Sequence, residues 1–217
     1  MNLIKDYEVG KSELTDAEYD AFFAEEGEEL GSRGTIKHQR PLTSLKKVFI
    51  GEDKEPTYTA STVRLPKLDG LAMSVLDVKG IFKSAATRGD GEYGQDVTEK
   101  VRDSGLVPML VAGCPDVYQV DGELMCPASV PNARNVVAGA LVHLNSVEEF
   151  KLRAKTLGFQ FFAYRIGVGY GTTFMDDMYN LNARGFRTVL DVPNIVEDWP
   201  LDGTVVRVDN NKVFYES

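Results

Sequence analysis

The spacing of apolar residues changes character along the chain. Between residues 15 and 30, Tyr19, Phe22 and Phe23 recur at helical spacing on one face. Thr15 and Glu18 have capping-box spacing, Leu14 precedes them as a staple, and Gly31 follows the run. An amphipathic helix is predicted there. Residues 31–41 read as a connector. From residue 42 the apolar runs shorten to strand length. Residues 71–78 and 81–86, split by Lys79-Gly80, predict a hairpin. A glycine-rich loop follows, from Thr87 to Gly94, then a short helix over 96–103 and a strand over 117–125.

Three further helices are expected. One is Ala-rich, from Asn132 to Leu144. The next runs from Ser146 to Leu157, with Ser146 and Glu149 as a capping box and Gly158 as its stop. The third spans Thr173–Arg184, before Gly185. Strands are expected at 159–168 and 204–208. Strands and helices mix without a strict βαβ alternation, so the fold class predicted is α+β. The domain reading is a short helical segment, 1–36, followed by a main domain, 37–217.

Charge refines this picture. The 217 residues carry a net charge of −9, and residues 1–30 alone hold ten acids against two bases. Residues 31–90 hold eleven bases and six acids, which leaves room for a local anion site on an otherwise acidic protein. Two cysteines and two histidines exclude a disulfide framework and disfavour a structural zinc site. No apolar run approaches the ~18 residues of a membrane helix. The start lacks a signal pattern. A soluble, cytoplasmic protein without membrane partners is expected.

The stretch richest in chemistry is Lys67-Leu68-Asp69-Gly70. A lysine in a cleft becomes a nucleophile once it sheds its proton, and a glycine beside it lets backbone approach a phosphate or sugar. Alone, these four residues also fit a surface turn. Downstream come Thr87-Arg88-Gly89-Asp90-Gly91, Asp121-Gly122-Glu123, Asn132-Ala133-Arg134-Asn135, Phe161-Phe162-Ala163-Tyr164 and Asp202-Gly203-Thr204-Val205-Val206-Arg207. At Asp202-Gly203 a turn former and a direct catalytic role both stay open.

In order and spacing these segments resemble the adenylation (nucleotidyltransferase) domain of the NAD+-dependent DNA ligases, over most of residues 38–209. The resemblance implies antiparallel sheets flanked by helices. It implies that Lys67 takes AMP from NAD+ on its ε-nitrogen, with Asp69, Glu123 and Arg207 as further catalytic groups. It places Gly70, Arg88, Glu123, Tyr164 and Arg207 against the co-substrate, with Tyr164 stacking on adenine. Arg134 would meet DNA phosphate. Glu123 would stand near Mg2+. The segment from His38 to Phe49 resembles the one that enters the nucleotide site through Ser44 and Leu45. Asp16, Tyr19 and Asp20 resemble an element that grips the nicotinamide mononucleotide half.

The departures are specific. A glutamate usual two residues before the lysine is Leu65, followed by Pro66. The usual lysine of the fourth motif is Arg207. A second DNA-facing arginine is Val142. The fifth motif and the DNA-clamping domains do not follow residue 217. The resemblance therefore implies the adenylation subunit of a split ligase, of a kind that would suit a phage genome. It would act on nicked double-stranded DNA with a partner polypeptide that carries the fifth motif. Leu65 and Arg207 keep a second reading open, an inactive nucleotide-binding regulatory or interaction module of the same fold. An ATP-using or RNA end-modifying relative is disfavoured by Asp16, Tyr19, Asp20 and the Ser44-Leu45 segment.

Overall fold

The computed structural model describes residues 35–49, 61–194 and 198–216. The helix expected over 15–30, with Asp16, Tyr19 and Asp20, lies outside them. A five-stranded sheet organises the rest. Its strands are β3 (Leu71–Val78), β4 (Ile81–Thr87), β6 (Val117–Met125), β7 (Gln160–Val168) and β8 (Arg187–Thr188), in the order β4-β3-β6-β7-β8. All pairs are antiparallel except β7 with β8. β1 (Thr35–Lys37) pairs with β5 (Tyr93–Gln95), and β2 (Thr62–Leu68) pairs with β9 (Leu201–Val208), both antiparallel. The α+β expectation therefore holds for the described residues. β1 runs through the expected 36/37 boundary and is tied to the glycine-rich loop.

Local chemistry explains most element ends. Lys79 (φ 52°) and Gly80 (φ 74°) both take the left-handed conformation, which matches the twist of the β3–β4 hairpin. The helices are α1 (Thr98–Val101), α2 (Ala133–Ala138), α3 (Val147–Leu157), α4 (Phe174–Ala183) and α5 (Asn211–Glu216). The Ser146 hydroxyl caps α3 by accepting from the Glu149 amide at 3.1 Å, and Gly158 (φ 73°) ends it. Thr173 caps α4 in the same way through the Asp176 amide.

Two expected helices are shorter. The one predicted over 96–103 is a single turn, because Asp96 accepts the Thr98 amide at 2.9 Å and holds the chain in a turn until then. The Ala-rich helix runs only to Ala138 and widens into a π turn over Gly139–His143. Side chains take up carbonyls there. The Lys100 ammonium donates to the Ala140 and Leu141 oxygens, and the Gln95 amide donates to Val142.

The sheet has two unlike faces. Met73 and Val75 of β3, with Val120 and Leu124 of β6, point into the core against Val136, Val137, Leu141 and Phe150. Ala72 and Ser74 of β3, with Gln119, Asp121 and Glu123 of β6, point to the other face. The segment after β1 runs over that face.

Candidate active site

Lys67 stands where β2 leaves its partner. Pairing with β9 is irregular between Pro66 and Leu68, which frees the lysine from the regular ladder. Its ammonium is ion-paired with Asp202, with the lysine side chain 30% exposed and the aspartate 60%. The bond and charge of Lys67 hold the Asp202 carboxyl below its ordinary range, and Lys47 and Arg134 act in the same direction.

The chain then turns sharply toward the sheet. A Cβ on Gly70 would lie 2.3 Å from the Leu124 carbonyl oxygen, so only glycine fits. From this position the Gly70 amide donates to the Glu123 carboxylate at 3.3 Å. Burial pushes the Glu123 carboxyl up to about 7. Asp69 adds to the rise, while the Gly70 amide, Lys67 and Arg134 oppose it. Arg134, in the first turn of α2, approaches Asp69 at 3.5 Å. Lys67, Asp69, Glu123, Arg134 and Asp202 thus form one cluster of alternating charge.

A second arginine comes from the glycine-rich loop. The Arg88 amide donates to Ala72 at 3.0 Å, and its guanidinium donates to the Ser44 hydroxyl at 3.3 Å. The loop is tight. Gly89 has φ 57°, and a Cβ on Gly94 would lie 1.7 Å from the Thr87 oxygen. Asp90 closes it by accepting the Glu92 and Tyr93 amides at 2.9 and 2.7 Å. Tyr164, half-buried on β7, is close enough to Glu123, Asp121 and Arg88 to feel their charges. Burial raises its phenol, which stays protonated. Leu45, next to Ser44, is 52% exposed.

Arg207 packs against α4 and α5. It is buried, its guanidinium donates to Asn211 at 2.8 Å, and its Cζ lies 4.5 and 3.8 Å from the Phe174 and Phe214 ring centroids. Asn211 in turn donates to Asp177 at 2.7 Å. The planar fork is used in docking α5 and α4, where a lysine's point charge would fit poorly. Leu65 belongs to the apolar core. The Asp202-Gly203 pattern fits a turn and a catalytic role alike, and Lys47, whose charge reaches Asp202, has no assigned role within the His38–Phe49 segment. Nothing in either residue's local pattern distinguishes it from an ordinary turn or surface position.

Among the described residues no group of three or more histidine, cysteine or acidic side chains could hold a metal alone. Glu123 and Asp69 instead bring carboxylates from two sides to one place. That donor set fits a hard cation carried by one or two carboxylates and by phosphate oxygens. No helix among the described residues is long and apolar enough to cross a membrane.

The fold and the site define an α+β domain with a lysine–carboxylate–arginine cluster where its sheets meet. Residues 32–130 match the family described as NAD-dependent DNA ligase adenylation domain. Two curated proteins named DNA ligase are similar over a longer stretch. One, from Saccharophagus degradans, is 32% identical across 76% of this chain and 31% of its own length. The other, from Shewanella denitrificans, is 35% identical across 67% of this chain and 25% of its own length. The aligned part thus spans less than a third of either relative.

Proposed function

We propose that the chain is the adenylation part of an NAD+-dependent DNA ligase. The lone pair of the Lys67 ε-nitrogen attacks the α-phosphorus of NAD+. For this the Lys67 ammonium first gives up one proton to water or a nearby carboxylate. The P–O bond to the nicotinamide mononucleotide phosphate then breaks, that phosphate leaves with the electron pair, and loss of a second proton from the nitrogen to water leaves a lysyl-AMP phosphoramidate. AMP then passes to the 5′-phosphate of a nick, and attack by the 3′-hydroxyl seals the strand and releases AMP. The observation that carries this reading is the Lys67–Asp202 pair within reach of Glu123 and Arg134.

Each neighbouring group has a role. Asp202 holds the lysine in one direction until substrate enters. Glu123, poised near neutrality, can take a proton at physiological pH. Arg88 offers a planar fork to a phosphate or ribose, held at a fixed place by Ser44. Arg134 brings positive charge for the diphosphate or for the DNA backbone. Gly70 lets the backbone approach the nucleotide, and Tyr164 offers a ring to the adenine. Mg2+, held by Glu123 and Asp69 with phosphate oxygens, would neutralise charge on the transferring group. Asp16, Tyr19 and Asp20 would meet the nicotinamide mononucleotide half. Nick sealing would need a partner polypeptide to clamp DNA.

Intact-mass spectrometry after incubation with Mg2+ and either NAD+ or ATP tests the reading. A gain of one AMP with NAD+ alone, mapped to Lys67 and lost in Lys67→Ala, is expected. A gain with ATP alone, or at another residue, overturns it. A second reading, an inactive nucleotide-binding module, is favoured by Leu65 and Arg207, both committed to packing. It predicts NAD+ binding without any mass gain, even after the partner polypeptide is added.

A further inference from the structure

A buried polar network lies beside the cluster around Lys67 and has no part in the chemistry above. Asp121 on β6 is fully buried. Its Oδ2 accepts from Arg165 Nε and Nη2 at 2.8 and 2.7 Å, and its Oδ1 accepts from Gln119 Nε2 at 2.9 Å. Burial works against the Arg165 charge, and the Asp121 carboxylate more than offsets it, so the guanidinium stays charged. A buried ion pair is a costly element, often replaceable by apolar residues without loss of stability. Its remaining bonds show what it holds.

Those bonds go to the segment after β1. Arg165 Nη2 donates to the Pro41 oxygen at 2.9 Å. The Gln119 amide closes a ring with one residue's backbone. Its Oε1 accepts the Arg40 amide at 2.8 Å, and its Nε2 donates to the Arg40 oxygen at 2.9 Å. On the other side the strap is tied to the glycine-rich loop. The His38 and Leu42 amides donate to Glu92 and Gly91 at 2.9 and 2.8 Å. Two residues beyond Leu42, Ser44 accepts from Arg88. The strap therefore has fixed points on the sheet and on the loop immediately before it reaches Arg88.

We propose that Arg165, held by Asp121 and aided by Gln119 on the same carboxylate, is a positioning residue for the nucleotide site. It fixes residues 38–42 on the sheet so that Ser44 and Leu45 stand over the dinucleotide beside Arg88. The network then sets affinity for NAD+ and leaves the reactivity of Lys67 alone. This rests on the function proposed above and adds residues that the family match does not mark.

The test uses the full chain and NAD+ binding by isothermal titration, with thermal unfolding alongside. Arg165→Met alone would strand a buried charge. The double change Asp121→Asn with Arg165→Met removes both charges together, and Gln119→Leu releases Arg40 while keeping both charges, at the loss of one bond to Asp121 Oδ1. Both are expected to raise the NAD+ dissociation constant about tenfold, with the unfolding temperature of Gln119→Leu within a few degrees of the parent. Arg165→Lys should recover part of the affinity, because charge is kept and the fork is lost. Unchanged affinity in both variants, when the parent binds NAD+, overturns the positioning role alone. Failure of the parent to bind NAD+ overturns the functional reading and this proposal with it.

Discussion

Asp77 gives the strongest test of the energetics. It sits on the core face of β3, opposite Phe82 and Tyr118, at an irregularity in the β3–β4 pairing. The side chain is fully buried and neither carboxylate oxygen has a hydrogen-bond partner. Burial alone pushes the carboxyl up to about 7 from an ordinary 3.8. A tenfold change in proton affinity is ~1.4 kcal/mol, so full ionisation opposes folding by ~4 kcal/mol. The sign follows from the folded state's tighter hold on the proton. The cost is absent below the unfolded value, grows as pH rises through it, and is complete above about 7. Asp77→Asn keeps the shape and removes the charge. Urea unfolding should show Asp77→Asn more stable than the parent at about pH 8. The gap should shrink by ~2–3 kcal/mol at about pH 5, where the parent is already mostly protonated when folded. A gap that does not change with pH would refute the assignment of an unpartnered, titrating carboxylate.

Three further predictions concern the Lys67 cluster and its supports. Glu123→Gln removes the carboxylate that burial and Asp69 push up to about 7; adenylylation should fall at least ~10-fold, as read by the rate of AMP gain. Gly70→Ala would push a Cβ to 2.3 Å from Leu124 oxygen, so thermal unfolding should show a loss of ~2–4 kcal/mol together with lost AMP transfer. Arg207→Lys should cost ~1–3 kcal/mol in urea unfolding, by loosening the contacts with Asn211, Phe174 and Phe214, while adenylylation per folded molecule stays unchanged.

What could be read from the chain was what local chemistry decides. The hairpin at Lys79-Gly80, the Ser146 cap, the Gly158 stop and four strands of the large sheet depend on residues within one turn or one pleat, whereas the two-residue β8 carries no such pattern. The motif residues Lys67, Asp69, Gly70, Glu123 and Arg134 could be named because each lies in a recurring short pattern. The pairs among them are long-range. Lys67 meets Asp202 across 135 positions, and Arg165 reaches Pro41 across 124. No window along the sequence contains both members. The π turn was hidden for the same reason, since its carbonyls are taken up by Gln95 and Lys100 from another part of the chain.

The two departures at Leu65 and Arg207 are one change in packing, not two separate losses. In the β2–β9 ladder Val63 stands opposite Arg207 and Leu65 opposite Val205, so all four side chains share a face of that small sheet. Here that face is apolar or stacked on aromatic rings, and it is joined to the core through Leu65 and to α4 and α5 through Arg207. Asp202 lies near the other end of the same ladder, within the irregularity between Pro66 and Leu68 and across from Lys67. Polar chemistry is therefore confined to the end that carries Lys67. If that end alone carries out the first step, restoring a glutamate at position 65 would bury a charge without a partner and would lower stability before it improved catalysis. Leu65→Glu should thus unfold at lower denaturant than the parent and show no faster gain of AMP. A faster gain at unchanged stability would mean that the ladder face admits the nucleotide.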